Sequence, residues 1–186
     1  MSYWNSRKTN LYYQAVYQFV SVVGDDAESI LDVGSAETDY INWFDWIPQR
    51  TQLNLGFRHA APQGVNRIRA DFFKWDPPHK FDVVLCLQVL EHVVEAGTFC
   101  DRLKATARQL IISVPYKWKK GAHDAHVHDP VDEDKLFGWM GRRPNHARIV
   151  HEPFGPRRLI AWYDLEGGEN ARIAPGAAKD RKARRA

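Results

Sequence analysis

At 186 residues, with 44% hydrophobic and 12% aromatic side chains and a net charge of +3, the chain can bury one sizeable core and is too rich in Trp, Tyr and Phe to remain unfolded. No stretch approaches the roughly 18 apolar residues of a membrane span, and MSYWNSRKTN lacks the apolar centre of a secretory leader, so no membrane partner and a cytoplasmic setting are expected. Two cysteines, Cys86 and Cys100, are too few for a disulfide framework and read as reduced thiols.

Charge is unevenly spread. Residues 167–186 hold six basic side chains (Arg172, Lys179, Arg181, Lys182, Arg184, Arg185) against Glu169 and Asp180, which leaves the rest of the chain at −1. That Gly/Ala/Lys/Arg segment has no apolar periodicity and is expected to be a disordered, solvating tail. The expected organisation is one domain over 1–165 and a tail over 166–186. The tail alone is weak ground for a nucleic-acid partner, and none is expected.

The first predicted element is a helix over 9–23, where Leu11, Ala15, Val16, Phe19 and Val22/Val23 share a face until Gly24-Asp25-Asp26 stops it. SILDV (29–33) is a short buried strand. The aromatic-rich segment 39–47 is expected to be helical up to Pro48, and TQLNL (51–55) to be a second strand closed by Gly56. VNRIRA (65–70) is a third short strand, with Asp71 just beyond it, and FDVVLCL (81–87) is the clearest strand of all. A helix over 98–107 leads to the buried strand QLIISV (109–114). After Pro115 comes a long polar loop, then a helix from Asp132 or Glu133 to about Met140. Two extended runs around Phe154-Gly155-Pro156 close the body as a hairpin over 147–165.

Strands alternating with helices imply an α/β fold, doubly wound, with a mostly parallel sheet, right-handed crossovers and a C-terminal antiparallel hairpin. In such sheets ligands sit beyond the carboxyl ends of the strands, near the switch in strand order. The segments to inspect are 32–40, 54–58, 71–73, 87–92 and 115–129. The first of them, in LDVGSAETDY (31–40), has an acid and a glycine at the strand end. A dinucleotide loop would read G-x-G-x-x-G; Ala36 and Thr38 break that pattern, and Asp32 would repel a pyrophosphate. A nicotinamide-dependent oxidoreductase is therefore set aside in favour of a cationic cofactor.

Six segments, SILDVGSAETDY, QLNL, ADFFKWDP, FDVVLCLQVLEHV, LIISVP and RLIAWYDL, stand in the order and spacing of the class I S-adenosylmethionine-dependent methyltransferases, which the chain resembles over 29–165. The resemblance implies a seven-stranded Rossmann-like sheet with helices on both faces. It implies that Asp32, Gly34, Ser35 and Ala36 face the methionine part of the cofactor, and that Leu87 and Gln88 line that side of the pocket. It implies that Asn54 and Leu55 meet the ribose, that Asp71 accepts from the adenine amino group, and that Phe72 stacks on the ring. Tyr3, Trp4 and Arg7 resemble the segment that folds over the cofactor in relatives, with Arg7 pairing its carboxylate. The implied activity is methyl transfer to an oxygen or nitrogen of a small molecule, or of a saccharide or peptide group.

The sequence departs from that pattern at three places. Alanine at 36 fits if φ stays negative, and threonine at 38 suggests a different turn. Asn54 replaces the acid that grips the ribose hydroxyls, so weaker binding is expected. A catalytically inactive relative, kept as a binding or scaffold protein, is the alternative these residues leave open. Glu91 and His92 read as structural residues on the helix after the fourth strand, and Trp43, Phe44 and Trp46 as core or sheet cover.

The loop YKWKKGAHDAHVHDP (116–130) follows the fifth strand, where relatives bind substrate. Tyr116, His123, His126 and His128 are the candidate substrate contacts, with His126 or His128 the candidate general base. His-x-x-His-x-His with Asp129 has metal-binding chemistry, but the loop shows no helical or strand register to fix ligands, and no metal is expected. Asp129 and Asp132 are candidate caps for the following helix.

Overall fold

A computed structural model describes residues 4–36, 38–153 and 155–167. The apolar runs form seven strands: β1 Ser29–Val33, β2 Gln49–Asn54, β3 Val65–Arg69, β4 Phe81–Leu87, β5 Ala107–Pro115, β6 His146–His151 and β7 Arg157–Asp164. They make one sheet in the order β3-β2-β1-β4-β5-β7-β6. The first five are parallel, with Asp32 opposite Gln52 on one side and Leu85 on the other. β7 runs antiparallel between β5 and β6, with Ile111 opposite Trp162.

The central strands are buried on both faces, as continuous apolar runs require. On one face Ile30, Val83, Leu85, Ile111 and Trp162 pack under α1 (Leu11–Val23), through Val16 and Val20. On the other face Leu31, Val84, Cys86, Leu110 and Ile112 pack under α2 (Ala96–Thr106) and α3 (Glu133–Met140), through Phe99, Leu103, Leu136 and Met140. Both cysteines are buried free thiols. Among the described residues no helix is long and apolar enough to cross a membrane.

The expected helix over 39–47 is corrected to a single 3-10 turn, Tyr40–Trp43. Phe44, fully buried, folds back through its N–H to Ile41 O (3.2 Å), and its ring packs against Tyr17 of α1. The aromatic side chains of this segment cover the sheet, and Pro48 leaves no room for a longer helix. Likewise Glu91 and His92 lie on a 3-10 turn, Leu90–His92, and α2 starts only at Ala96. The expected tail over 166–186 lies, from residue 168 onward, outside the described residues, as does Tyr3.

Candidate functional site

Strand order reverses between β1 and β4, and two adjoining hollows open at the carboxyl ends of these strands. The first is polar and is bordered by Arg7, Gly34, Ser35, Ala36, Leu87 and Gln88, with Glu91 and the histidine-rich loop opposite. The second, of about 260 Å³, is mostly apolar and is bordered by Asn54, Leu55, Asp71, Phe72 and Val89. Gly34 and His92 belong to both.

Gly34 is the hinge between them. Its φ is +77°, and a Cβ there would lie 2.5 Å from Val89 Cγ2, so only glycine fits this turn beside the wall of the apolar hollow. The backbone then stays in the left-handed region at Ala36, with φ of +49°. The condition under which alanine fits at 36, a negative φ, is not met, and the loop bears the steric cost of a methyl in that conformation. Thr38 is buried, and its hydroxyl donates to Ser35 O (2.6 Å), closing the loop on itself. Gln88 leaves β4 with φ of +58°, its amide nitrogen donating to Ser113 Oγ on β5 (3.1 Å).

Asp32 is corrected. It borders neither hollow; it is 1% exposed and lies beneath the loop, accepting a hydrogen bond from the Tyr40 hydroxyl. Burial pushes its carboxyl up to about 7, against hydrogen bonds from Tyr40 and Gln52 that pull it down. It is thus not an open negative charge that selects a cationic cofactor. The charges that do border the polar hollow are Arg7 and Arg158, the latter laid over the Tyr12 ring at 4.7 Å. Glu91 faces the same hollow, 1% exposed, and burial pushes it up to about 8, which disfavours its charged form. Two guanidinium groups therefore border the hollow, that of Arg158 standing 3.5 Å from the Glu152 carboxylate. Ser35 Oγ and Glu91 Oε2 are buried there without a hydrogen-bond partner among the described residues, an arrangement suited to a polar ligand.

In the apolar hollow, Asp71 Oδ1 accepts from Phe73 N (2.9 Å), which shapes the turn after β3. Phe72 is 4.9 Å from the Phe99 ring and forms the floor. Asn54 donates its amide to Gly56 O (2.8 Å), fixing the side chain at the end of β2. The hollow thus sets an apolar floor and the Asp71 carboxylate along one cavity.

The loop after β5 is fastened to the turn after β4. Val127 N donates to Glu91 O (2.9 Å), His92 Nδ1 bonds Ala125 O (2.9 Å), and His128 Nε2 bonds Val93 O (2.8 Å). His123 and His126 border the polar hollow; His128 does not, and packs instead on Trp139 at 4.9 Å. Tyr116 also lies apart, buried, with its hydroxyl donating to Glu133 Oε1 (3.1 Å). Of the two aspartates read as caps, only Asp132 caps α3, accepting from Lys135 N (3.1 Å); Asp129 bonds His126 Nδ1 at 2.7 Å. The sequence reading missed Glu91 and His92, whose signal was their position immediately past β4. It also passed over Trp118, inside the nominated loop 116–130, and missed Arg158, which reaches the hollow from β7 with no local signal.

No family model matches the chain. A ubiquinone biosynthesis O-methyltransferase of Pseudoalteromonas translucida (strain TAC 125) is 24% identical over 123 residues, 62% of this chain and 49% of that protein. The chain thus spans about half the length of the curated relative it matches. Among solved structures, a Burkholderia thailandensis 1,6-didemethyltoxoflavin-N1-methyltransferase with bound 1,6-didemethyltoxoflavin and S-adenosylhomocysteine superposes with a TM-score of 0.66 at 17% identity, over 83% of this chain and 78% of that one. The N-terminal domain of EvdMO1 with S-adenosylhomocysteine bound superposes with a TM-score of 0.58 at 16% identity, over 82% and 80%. These likenesses, with the seven-stranded sheet and its antiparallel C-terminal pair, identify the fold as that of the class I methyltransferases.

Proposed function

From a class I methyltransferase fold, we propose that the chain is an S-adenosylmethionine-dependent methyltransferase acting on an oxygen or nitrogen of a small molecule, or of a saccharide or peptide group. The observation that carries this reading is the pair of hollows meeting over Gly34, one polar and bordered by two guanidinium groups, the other apolar with a carboxylate at its rim. The S-adenosylhomocysteine held by two solved neighbours supports the same cofactor.

On this reading Arg7, Ser35 and the backbone of Gly34 and Ala36 hold the aminocarboxylate end. Asn54 and Leu55 meet the ribose, Asp71 accepts from the adenine amino group, and Phe72 floors the ring. Leu87 and Gln88 flank the reacting centre. The cofactor, when bound, supplies a methyl group already activated on sulfur, so the protein's share is to align the acceptor with it. His123 and His126 stand where an acceptor would enter and can take its proton. No nucleophilic side chain is needed.

Calorimetric titration with S-adenosylmethionine and S-adenosylhomocysteine tests the reading. Micromolar binding is expected, weakened at least about tenfold in Asp71→Ala by loss of a charge-assisted hydrogen bond. Asp71 also shapes its own turn, so Asp71→Asn, which keeps an acceptor for Phe73 N, separates the two roles. Absence of heat from a cooperatively melting protein would instead favour the scaffold reading, for which the engagement of the Asn54 amide by Gly56 O is the supporting observation.

A further inference from the structure

Three histidines converge where the loop after β5 meets the turn after β4. One ring nitrogen each from His92, His123 and His126 lies within 4.8 Å of the others. The rings of His123 and His126 are stacked at 4.6 Å, and that of His92 stands edge-on to His126 at 4.7 Å. We propose that this trio is a three-imidazole site for a zinc-like divalent cation, open to the polar hollow.

The donor set favours that class of ion. Imidazole suits Zn²⁺ and its late first-row neighbours, whereas Mg²⁺ and Ca²⁺ take oxygen. Three protein ligands with a fourth position left open is the arrangement of a reactive zinc site. At Zn–N distances of about 2.0–2.1 Å, tetrahedral ligand atoms stand about 3.3 Å apart. From separations of up to 4.8 Å the trio must close by up to about 1.5 Å, within reach of ring rotations.

Two of the three rings are already oriented by groups behind them. His126 Nδ1 bonds the Asp129 carboxylate at 2.7 Å, and His92 Nδ1 bonds Ala125 O at 2.9 Å. Each of these bonds engages Nδ1 and leaves Nε2 as the nitrogen available to a cation, as outer-shell partners do in metal sites. Asp129 is itself 1% exposed on its side chain, so this support is built into the fold. His123 has a weaker tie, Ala125 N to Nδ1 at 3.3 Å, which yields when its ring turns. Solvent reaches His92 and His123, giving the cation a path in.

The expectation of no metal rested on a loop without register. The structure supplies register through the bonds from Ala125 and Val127 to the turn after β4, and it brings in His92. It also removes His128, the third member of the sequence run, whose Nε2 is turned to Val93 O. If methyl transfer is the activity, which is a separate reading, the open position faces the hollow from which the acceptor would approach. An acceptor hydroxyl bound there would be made more acidic and held in place, the cation then replacing His123 and His126 as the means of activating it.

The test is titration of the chelator-stripped full chain with Zn²⁺, and with Co²⁺ read by its visible absorption. One equivalent is expected, with the strong absorption of low-coordinate Co²⁺. His92→Ala and His123→Ala should each weaken binding by more than 100-fold, and Asp129→Asn by about 10–100-fold, with melting curves confirming that each variant folds. His128→Ala should bind as the parent does. Substoichiometric binding, binding indifferent to His92→Ala, or equal loss in His128→Ala would each overturn the site. The titration needs no S-adenosyl compound, so its failure and that of the cofactor titration are read independently.

Discussion

At Asp32, burial and hydrogen bonding act in opposite directions, and burial prevails. The carboxyl is raised from 3.8 to about 7, so the folded protein holds a proton that the unfolded chain releases. The resulting stabilisation is complete below about pH 4 and is lost as pH rises toward 7. The full shift corresponds to about 4 kcal/mol, and relaxation around a charged group brings the expected effect to ~2 kcal/mol. Asp32→Asn keeps an acceptor for the Tyr40 hydroxyl and removes the titration. It should melt with the parent at pH 4 and about 4–8 °C above it at pH 8. Parallel melting curves across that range would show that Asp32 is not the group responsible. The hidden acid also explains why LDVGSAETDY misled at one point. A strand-end aspartate reads as a charge facing the ligand, and only the ring of Tyr40, eight residues on, reveals that it is roofed over.

At the scale of single elements, α3 is the most completely specified. Asp132 accepts from Lys135 N, Glu133 and Asp134 occupy the first turn, and Gly141 ends the helix with φ of +69°. Asp132→Ala should cost about 1 kcal/mol, read as a shift of the urea midpoint with unchanged slope; no shift would mean that Lys135 N finds another acceptor. All these signals are local, which is why the helix was legible to within a residue, as were the continuous apolar strands β1 and β4. The segment 39–47 was not legible, because its aromatic side chains are placed by α1 and the sheet rather than by their own spacing. The site divides in the same way. Residues at strand ends (Gly34, Asn54, Asp71, Gln88) follow from the β-α alternation, whereas the pairing of His92 with a loop some 30 residues later depends on bonds no periodicity records.

For the whole molecule, one carboxylate joins the two ends of the domain. Asn10 makes no side-chain cap on α1; instead Glu152, beyond β6, accepts from Leu11 N (2.9 Å) and Tyr12 N (3.1 Å). The same carboxylate stands 3.5 Å from Arg158, which is 5% exposed. Glu152→Ala removes the cap and strands a buried guanidinium, and should cost roughly 2 kcal/mol or more. Glu152→Gln, which keeps one acceptor oxygen, should cost less. Equal losses in the two variants would assign the effect to the ion pair rather than to the cap. Because Tyr12 and Arg158 both border the polar hollow, ligand affinity should fall along with stability in Glu152→Ala.

The place of β7 in the sheet has a consequence for synthesis. Among the described residues it is the last strand made, yet it lies between β5 and β6, and β6 pairs with no other described strand. Until residues 157–164 emerge from the ribosome, β5 presents one bare, apolar edge, and residues 146–151 have no strand to join. At about 5–20 residues per second, the interval from Pro115 to Arg157 lasts about 2–8 s. For those seconds the nascent chain exposes a ready template for pairing with another chain. Slowed translation within that interval should therefore lower the soluble yield more than slowing anywhere earlier.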